Sequence, residues 1–209
     1  MSKPILHYLF DPLCGWCYAA KPLIDVIRAL DAFELVLHGG GLMQDQKIAP
    51  AMRQHIINSD RRIGQLTGQP FGEAYLNGLI QDPDTVLDSL PPITAIRAVQ
   101  ALGAEGLAMQ SAIQHAHYVE GRRVSQLDTL IELAVGLGLE ADSFQSVFAQ
   151  QGESVMAHIG ETRQMLDAHG GGYPTLLLEG EGGLRRLEVA DYYGEPERWT
   201  AYLAALMAR

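Results

Sequence analysis

Only two cysteines occur in the chain, and they lie three positions apart, in Cys14-Gly15-Trp16-Cys17. A disulfide that short closes almost no loop, so it gains little by restricting the unfolded chain. Chemistry is the better reason for the pair. Four-ligand zinc needs more donors nearby, and neither a second cysteine pair nor a local histidine pair follows, so no metal is expected. Ile5 to Phe10 reads as a short buried strand, and Asp11-Pro12 breaks it. Gly15 to Leu30 reads as a helix with Leu23, Ile24, Ile27 and Leu30 on one side, kinked at Pro22. Phe33 to His38 reads as a second strand, ended by Gly39-Gly40-Gly41. The opening is thus a βαβ unit with a dithiol where the first strand gives way to helix.

The middle, from about Ala49 to His169, reads as helical throughout. Ile93, Ile96, Val99 and Leu102 recur at helical spacing after Pro91-Pro92. Ser125 with Asp128, and Asp142 with Gln145, resemble capping arrangements ahead of further apolar stripes. Near the end, Thr175 to Glu179 and Leu184 to Val189 read as strands joined by a Glu181-Gly182-Gly183 turn. Glu195-Pro196 starts a last helix, to about Met207. The order is βαβ, a long helical segment, then ββα. The outer parts are expected to share one sheet with helices on both faces, an α/β fold. The expected division is a redox domain from residues 1–41 and 158–209, with 42–157 as an all-helical insertion.

A thiolate at a helix start is stabilised by the unpaired backbone N–H groups there. Cys14 is therefore expected as the exposed nucleophile, with its pKa below the free value of roughly 8.5. Cys17 lies one turn further on the same side and is expected as the buried resolving thiol. Gly15 and Trp16 tune the pair. Gly15 takes no space at the helix start, and Trp16 contributes contact surface.

Composition narrows the partners. With a formal net charge of −10, the chain repels the phosphate backbone, so nucleic acid is not expected as a ligand. No run approaches the ~20 apolar residues of a membrane span. Lys3-Pro4 leads straight into the first strand without a secretory signal pattern, which gives a cytoplasmic expectation. His55, His115, His117, His158 and His169 show no ligand spacing and are expected to be surface or hydrogen-bonded residues.

The segment Phe10-Asp11-Pro12-Leu13-Cys14-Gly15-Trp16-Cys17-Tyr18 is similar to the Asp-Pro-x-Cys-x-Trp-Cys segment of the DsbA-like family of thioredoxin-fold proteins, in its FrnE-type branch. Gly172-Tyr173-Pro174-Thr175 falls where that family has its cis-proline loop. The helical insertion, with Leu133-Ala134-x-x-Leu137-Gly138-Leu139, also matches in size and position. The resemblance implies a thioredoxin-like fold and a cis bond between Tyr173 and Pro174, facing Cys14. It implies substrate binding by Tyr173, Pro174 and Thr175, and thiol–disulfide exchange by Cys14 and Cys17 without a cofactor. The partners would be disulfide- or thiol-containing proteins or small thiols. One departure stands out. Many relatives place a buried acid six residues before the first cysteine, where this chain has Tyr8. The proton acceptor for Cys17 is left open.

Two other functions fit the same architecture. One is a glutathione-dependent isomerase or transferase, similar to 2-hydroxychromene-2-carboxylate isomerase and the kappa-class transferases. These generally lack a complete C-x-x-C. The other is a redox-regulated binding module or holdase using the helical insertion as its surface.

Overall fold

The computed structural model describes residues 3–208. The first strand, β1 (Ile5–Phe10), runs into two short helices, α1 (Gly15–Ala19) and α2 (Lys21–Leu30), and returns as β2 (Glu34–Gly39). The last part contributes β5 (Thr175–Gly180), β6 (Gly183–Leu187) and α9 (Pro196–Met207). These strands form one sheet in the order β2-β1-β5-β6, as the sequence pattern implies. β1 runs parallel to β2, with Ile5 opposite Glu34 and Phe10 opposite Gly39. β5 is antiparallel to both neighbours, with Tyr8 opposite Leu176 and Leu176 opposite Leu187. β1 is central, and Leu6, Tyr8, Leu9 and Phe10 are almost wholly buried.

The expected single kinked helix is two helices, broken at Ala20. Pro22 sits in the first turn of α2. It has no N–H to return to Tyr18, so the ladder is interrupted there and the chain restarts from the carbonyl of Ala20, which accepts from the N–H groups of Leu23 and Ile24. A proline in a first turn is tolerated because its N–H would be unpaired anyway.

The middle holds α3 (Pro50–Thr67), α4 (Leu90–Ala101), α5 (Gly106–Tyr118), α6 (Leu127–Gly136), α7 (Ala141–Gln150) and α8 (Gly152–His169). It is not helical throughout. β3 (Gln46–Lys47) and β4 (Val86–Leu87) pair antiparallel. They bracket α3 and a π-helical turn at Ala74–Leu79, in which Ile80 N–H reaches back to the carbonyl of Tyr75. Two-residue strands are too short to show a period in sequence. The two capping arrangements are also absent. α6 and α7 start after Gln126 and Glu140, neither of which makes a side-chain cap bond. After β6 the chain turns into a 3-10 helix at Val189–Tyr192, which shortens the expected strand.

α8 runs unbroken across residues 157 and 158. Its Val155 and Ile159 pack with Ile93 of α4 in a small apolar cluster of their own. The main core joins β1, α1, α2, α5 and α9. Trp199 of α9 is fully buried there, and its indole N–H donates to the carbonyl of Leu23 at 3.1 Å. Among the described residues no helix is long and apolar enough to cross a membrane.

Trp199 docks the last helix onto the helix that follows the dithiol. Trp199→Ala is expected to cost about 3–5 kcal/mol of unfolding free energy, read by urea denaturation.

Candidate redox site

β1 ends at Phe10, and the side chain of Asp11 turns the chain that follows. Its Oδ1 accepts from the N–H of Leu13 at 2.9 Å, closing an Asx turn. Cys14 then caps α1 in an extended conformation, and its carbonyl accepts from the N–H groups of Cys17 and Tyr18. The turn leaves Cys14 8% exposed, whereas Cys17 is fully buried beneath it. The sequence implies an exposed Cys14 above a buried Cys17; Cys14 is the shallower of the two, but it is itself largely buried.

The two thiols are driven apart in acidity. A hydrogen bond from the Cys17 side chain is the largest influence on Cys14 and lowers its pKa; backbone N–H groups of Cys17 and Trp16 add to this, against the effects of burial and the charge of Asp11. Burial pushes Cys17 well up, and the neighbouring Cys14 pushes it further. The Sγ of Cys17 accepts one backbone hydrogen bond, from Asp11 N–H at 3.4 Å.

Across from Cys14 lies the loop before β5. The Tyr173–Pro174 bond is cis, and the Sγ of Cys14 donates to the carbonyl of Tyr173 at 3.5 Å. The structure therefore brings together Cys14, Cys17, Tyr173 and Pro174. Thr175 is buried, and its hydroxyl donates to the carbonyl of Gly172 at 2.7 Å, so its side chain holds the loop in shape. The loop is tied to the end of β2. Both Tyr173 Oη and Arg163 Nε donate to the carbonyl of Gly40. A Cβ at residue 40 would lie 2.0 Å from the Tyr173 ring, so only glycine allows this approach.

Gly15 has a similar reason. A Cβ there would sit 2.6 Å from Oδ1 of Asp60, on α3. Asp60 is 5% exposed, accepts from the Tyr75 hydroxyl at 2.6 Å, and is raised by burial to about 6. Trp16 is half-buried and leans on Tyr193, with ring centroids 5.1 Å apart; Tyr193 Oη donates to the carbonyl of Trp16. Asp60, Arg163 and Tyr193 carry no motif, and sequence reasoning passed over all three. The glycine between the cysteines was the one available hint that something presses on that helix start.

Tyr8, at the position where relatives carry an acid, is buried with its hydroxyl accepting from Gln110 Nε2 at 3.4 Å. Burial raises its pKa well above the usual phenol value, so it keeps its proton. The histidines lie outside the dithiol. His117 is packed against Tyr75 and Tyr118 and is lowered by burial to about 4. His158 accepts from Gly39 N–H at 2.9 Å, and His115 is exposed beside Glu120. Among the described residues no group of side chains is arranged to hold a metal ion.

Asp60 gives a pH test of this packing. Burial holds its folded-state pKa at about 6, above the ordinary aspartate range, so the protonated form suits the fold better. The stability that this group contributes is present below the unfolded value and is lost as pH rises through about 6. Asp60→Asn removes that loss. Its unfolding free energy is expected to match wild type near pH ~4 and exceed it by up to about 3 kcal/mol at pH ~7, measured by urea denaturation across pH.

Comparison with known proteins agrees with this geometry. The chain is similar to the cytosolic disulfide reductase DsbM from Pseudomonas aeruginosa, with 43% identity, a TM-score of 0.92 and 98% of each chain covered. A second structure of DsbM, with GSH, gives 42% identity and a TM-score of 0.89, covering 98% of this chain and 100% of that one. A Nitrosomonas europaea protein named as a candidate protein disulfide isomerase is 26% identical, with a TM-score of 0.78 and 98% of each chain covered. No curated protein sequence matches the chain. The profile of the DSBA-like thioredoxin domain matches residues 5–192, and the chain belongs to that family.

Proposed function

We propose that this protein is a thiol–disulfide oxidoreductase working in the reducing direction, with Cys14 as the attacking thiol and Cys17 as the resolving one. The observation that carries this reading is the acidified, slightly exposed Cys14 Sγ set 3.5 Å from the Tyr173 carbonyl, with a fully buried Cys17 beneath it. A thiolate attacks a partner disulfide in line, forms a mixed disulfide and expels one partner thiol. Cys17 then attacks Cys14 and frees the second. The reverse sequence, with a thiol such as glutathione, restores the dithiol. The backbone beside Pro174 offers an extended partner segment a place to add as a strand. Trp16, leaning on Tyr193, offers the partner an apolar surface beside Cys14.

Glutathione is the proposed small-thiol partner, because the similar DsbM has a structure with GSH. A cytoplasmic setting is proposed from that relative's cytosolic assignment. The segment from residue 42 through the end of α8 is proposed as a mainly helical unit inserted in the redox domain, since α8 leaves no boundary at residue 157, and it supplies Asp60 and Ser89 to the surroundings of the dithiol. The glutathione-dependent isomerase reading is weaker, since it needs one nucleophile and gives Cys17 no role. The holdase reading draws on no observed feature of the site.

Cys14→Ser is expected to reduce glutathione-driven insulin reduction on the order of a hundredfold or more. Cys17→Ala is expected to retain one glutathione on Cys14, seen as added mass that a reductant removes. Undiminished activity in Cys14→Ser would remove the proposal. Tight glutathione binding without a covalent adduct in Cys17→Ala would favour the isomerase reading instead.

A further inference from the structure

The dithiol leaves one chemical need unmet. Cys17 must lose a proton when it attacks the mixed disulfide, yet it is fully buried and its pKa is pushed up. Tyr8 cannot receive that proton while it keeps its own. Asp60 lies against Gly15 and accepts from the Tyr75 hydroxyl.

Asp11 is placed differently. It is fully buried, and its own N–H holds the sulfur of Cys17 at 3.4 Å. Its carboxylate has a defined occupancy. Oδ1 accepts from Leu13 N–H at 2.9 Å and from Ser89 Oγ at 2.8 Å, while Oδ2 accepts from Leu42 N–H at 2.6 Å. A carboxylate offers roughly four lone-pair positions, so one remains on Oδ2. We propose that Asp11 is the proton acceptor of Cys17 in the resolving step, a role that rests on the oxidoreductase reading above.

The Cys17 sulfur bonds to Cys14 Sγ as the bond from Cys14 to the partner sulfur breaks. The proton of Cys17 passes to the Asp11 carboxylate. The partner leaves as a thiolate and takes a proton from solvent, and Asp11 later returns its own to solvent. The two electrons of the dithiol end on the two sulfurs of the partner disulfide. Asp11 is suited to both receiving and releasing. Burial raises it, the hydrogen bonds from Leu42, Leu13 and Ser89 and the Arg163 charge pull it back, and the balance falls at about 6. The charged or titratable groups that face it are Arg163 from α8, Tyr173 from the cis-proline loop, and the thiols of Cys14 at the cap of α1 and Cys17 within it.

The test is a stopped-flow reaction of the reduced protein with the chromogenic disulfide 5,5′-dithiobis(2-nitrobenzoate). Attack by Cys14 releases the first coloured thiol, and resolution by Cys17 releases the second. Cys17→Ala should show only the first phase. In Asp11→Asn the first phase is expected to be kept or accelerated, because the carboxylate opposes the Cys14 thiolate. The second phase is expected to slow on the order of a hundredfold at neutral pH and to lose its acid limb near pH ~6. A folded Asp11→Asn with the wild-type second phase and pH profile would overturn the proposal, as would equal slowing of both phases. Should Asp11→Asn fail to fold, Ser89→Ala keeps the carboxylate but removes one donor to it. The acid limb of its second phase should then move to higher pH, and an unmoved limb would overturn the proposal. A wild-type protein with no second phase would instead count against the oxidoreductase reading itself.

Discussion

A single buried carboxylate ties together the chain segments that surround the two sulfurs. Asp11 accepts from Leu13 in its own turn, from Ser89 at the start of α4, and from Leu42 just beyond β2. Those donors come from parts of the sequence far apart. Burying a charge is costly unless it is hydrogen-bonded, so losing any one of these donors leaves the carboxylate less compensated. The site and the helical segment are therefore one packing problem. Ser89 is further held in place because its N–H reaches the carbonyl of Met43 and its hydroxyl receives the N–H of Met43.

The same burial sets the chemistry. Cys14 caps the short helix that holds Cys17, but only Cys14 reaches solvent. Their hydrogen bond lowers the outer thiol against the effect of its own burial, while burial first and then that same bond raise the inner one. One sulfur is thereby prepared to attack, while the other waits for a proton to be taken from it. The division of labour comes from depth, not from residue type.

Close approaches do the remaining positioning. Gly40 lets the ring of Tyr173 lie against the backbone after β2, and Gly15 lets Asp60 lie against the start of α1. Arg163 and Tyr173 converge on the carbonyl of Gly40, so the cis-proline loop and the end of β2 are held as one piece. Tyr193, just after the 3-10 helix that follows β6, closes the other side over Trp16. Each contact joins the dithiol helix or its facing loop to a different element.

What could be read from the chain alone was whatever is local. The pattern around Ile5–Phe10 and Phe33–His38, the spacing of Cys14 and Cys17, and the late hairpin all announce themselves within a few residues. They were enough for a βαβ and ββα frame with a dithiol at its first turn, and the resemblance of Gly172-Tyr173-Pro174-Thr175 supplied the facing loop. Pro22 announced an interruption of the first helix, though as a kink and not as a full break at Ala20. The π-helical turn and the small β3–β4 pairing were not legible, because they answer to bonds over longer separations or involve too few residues to form a period. Nor were the roles of Asp60, Arg163 and Tyr193, or the burial of Asp11. An acidic side chain in a loop has the same sequence whether water or protein surrounds it. Only the folding of α3, α4 and α8 against the sheet removes the water, and with it decides which carboxylates and thiols change their acidity.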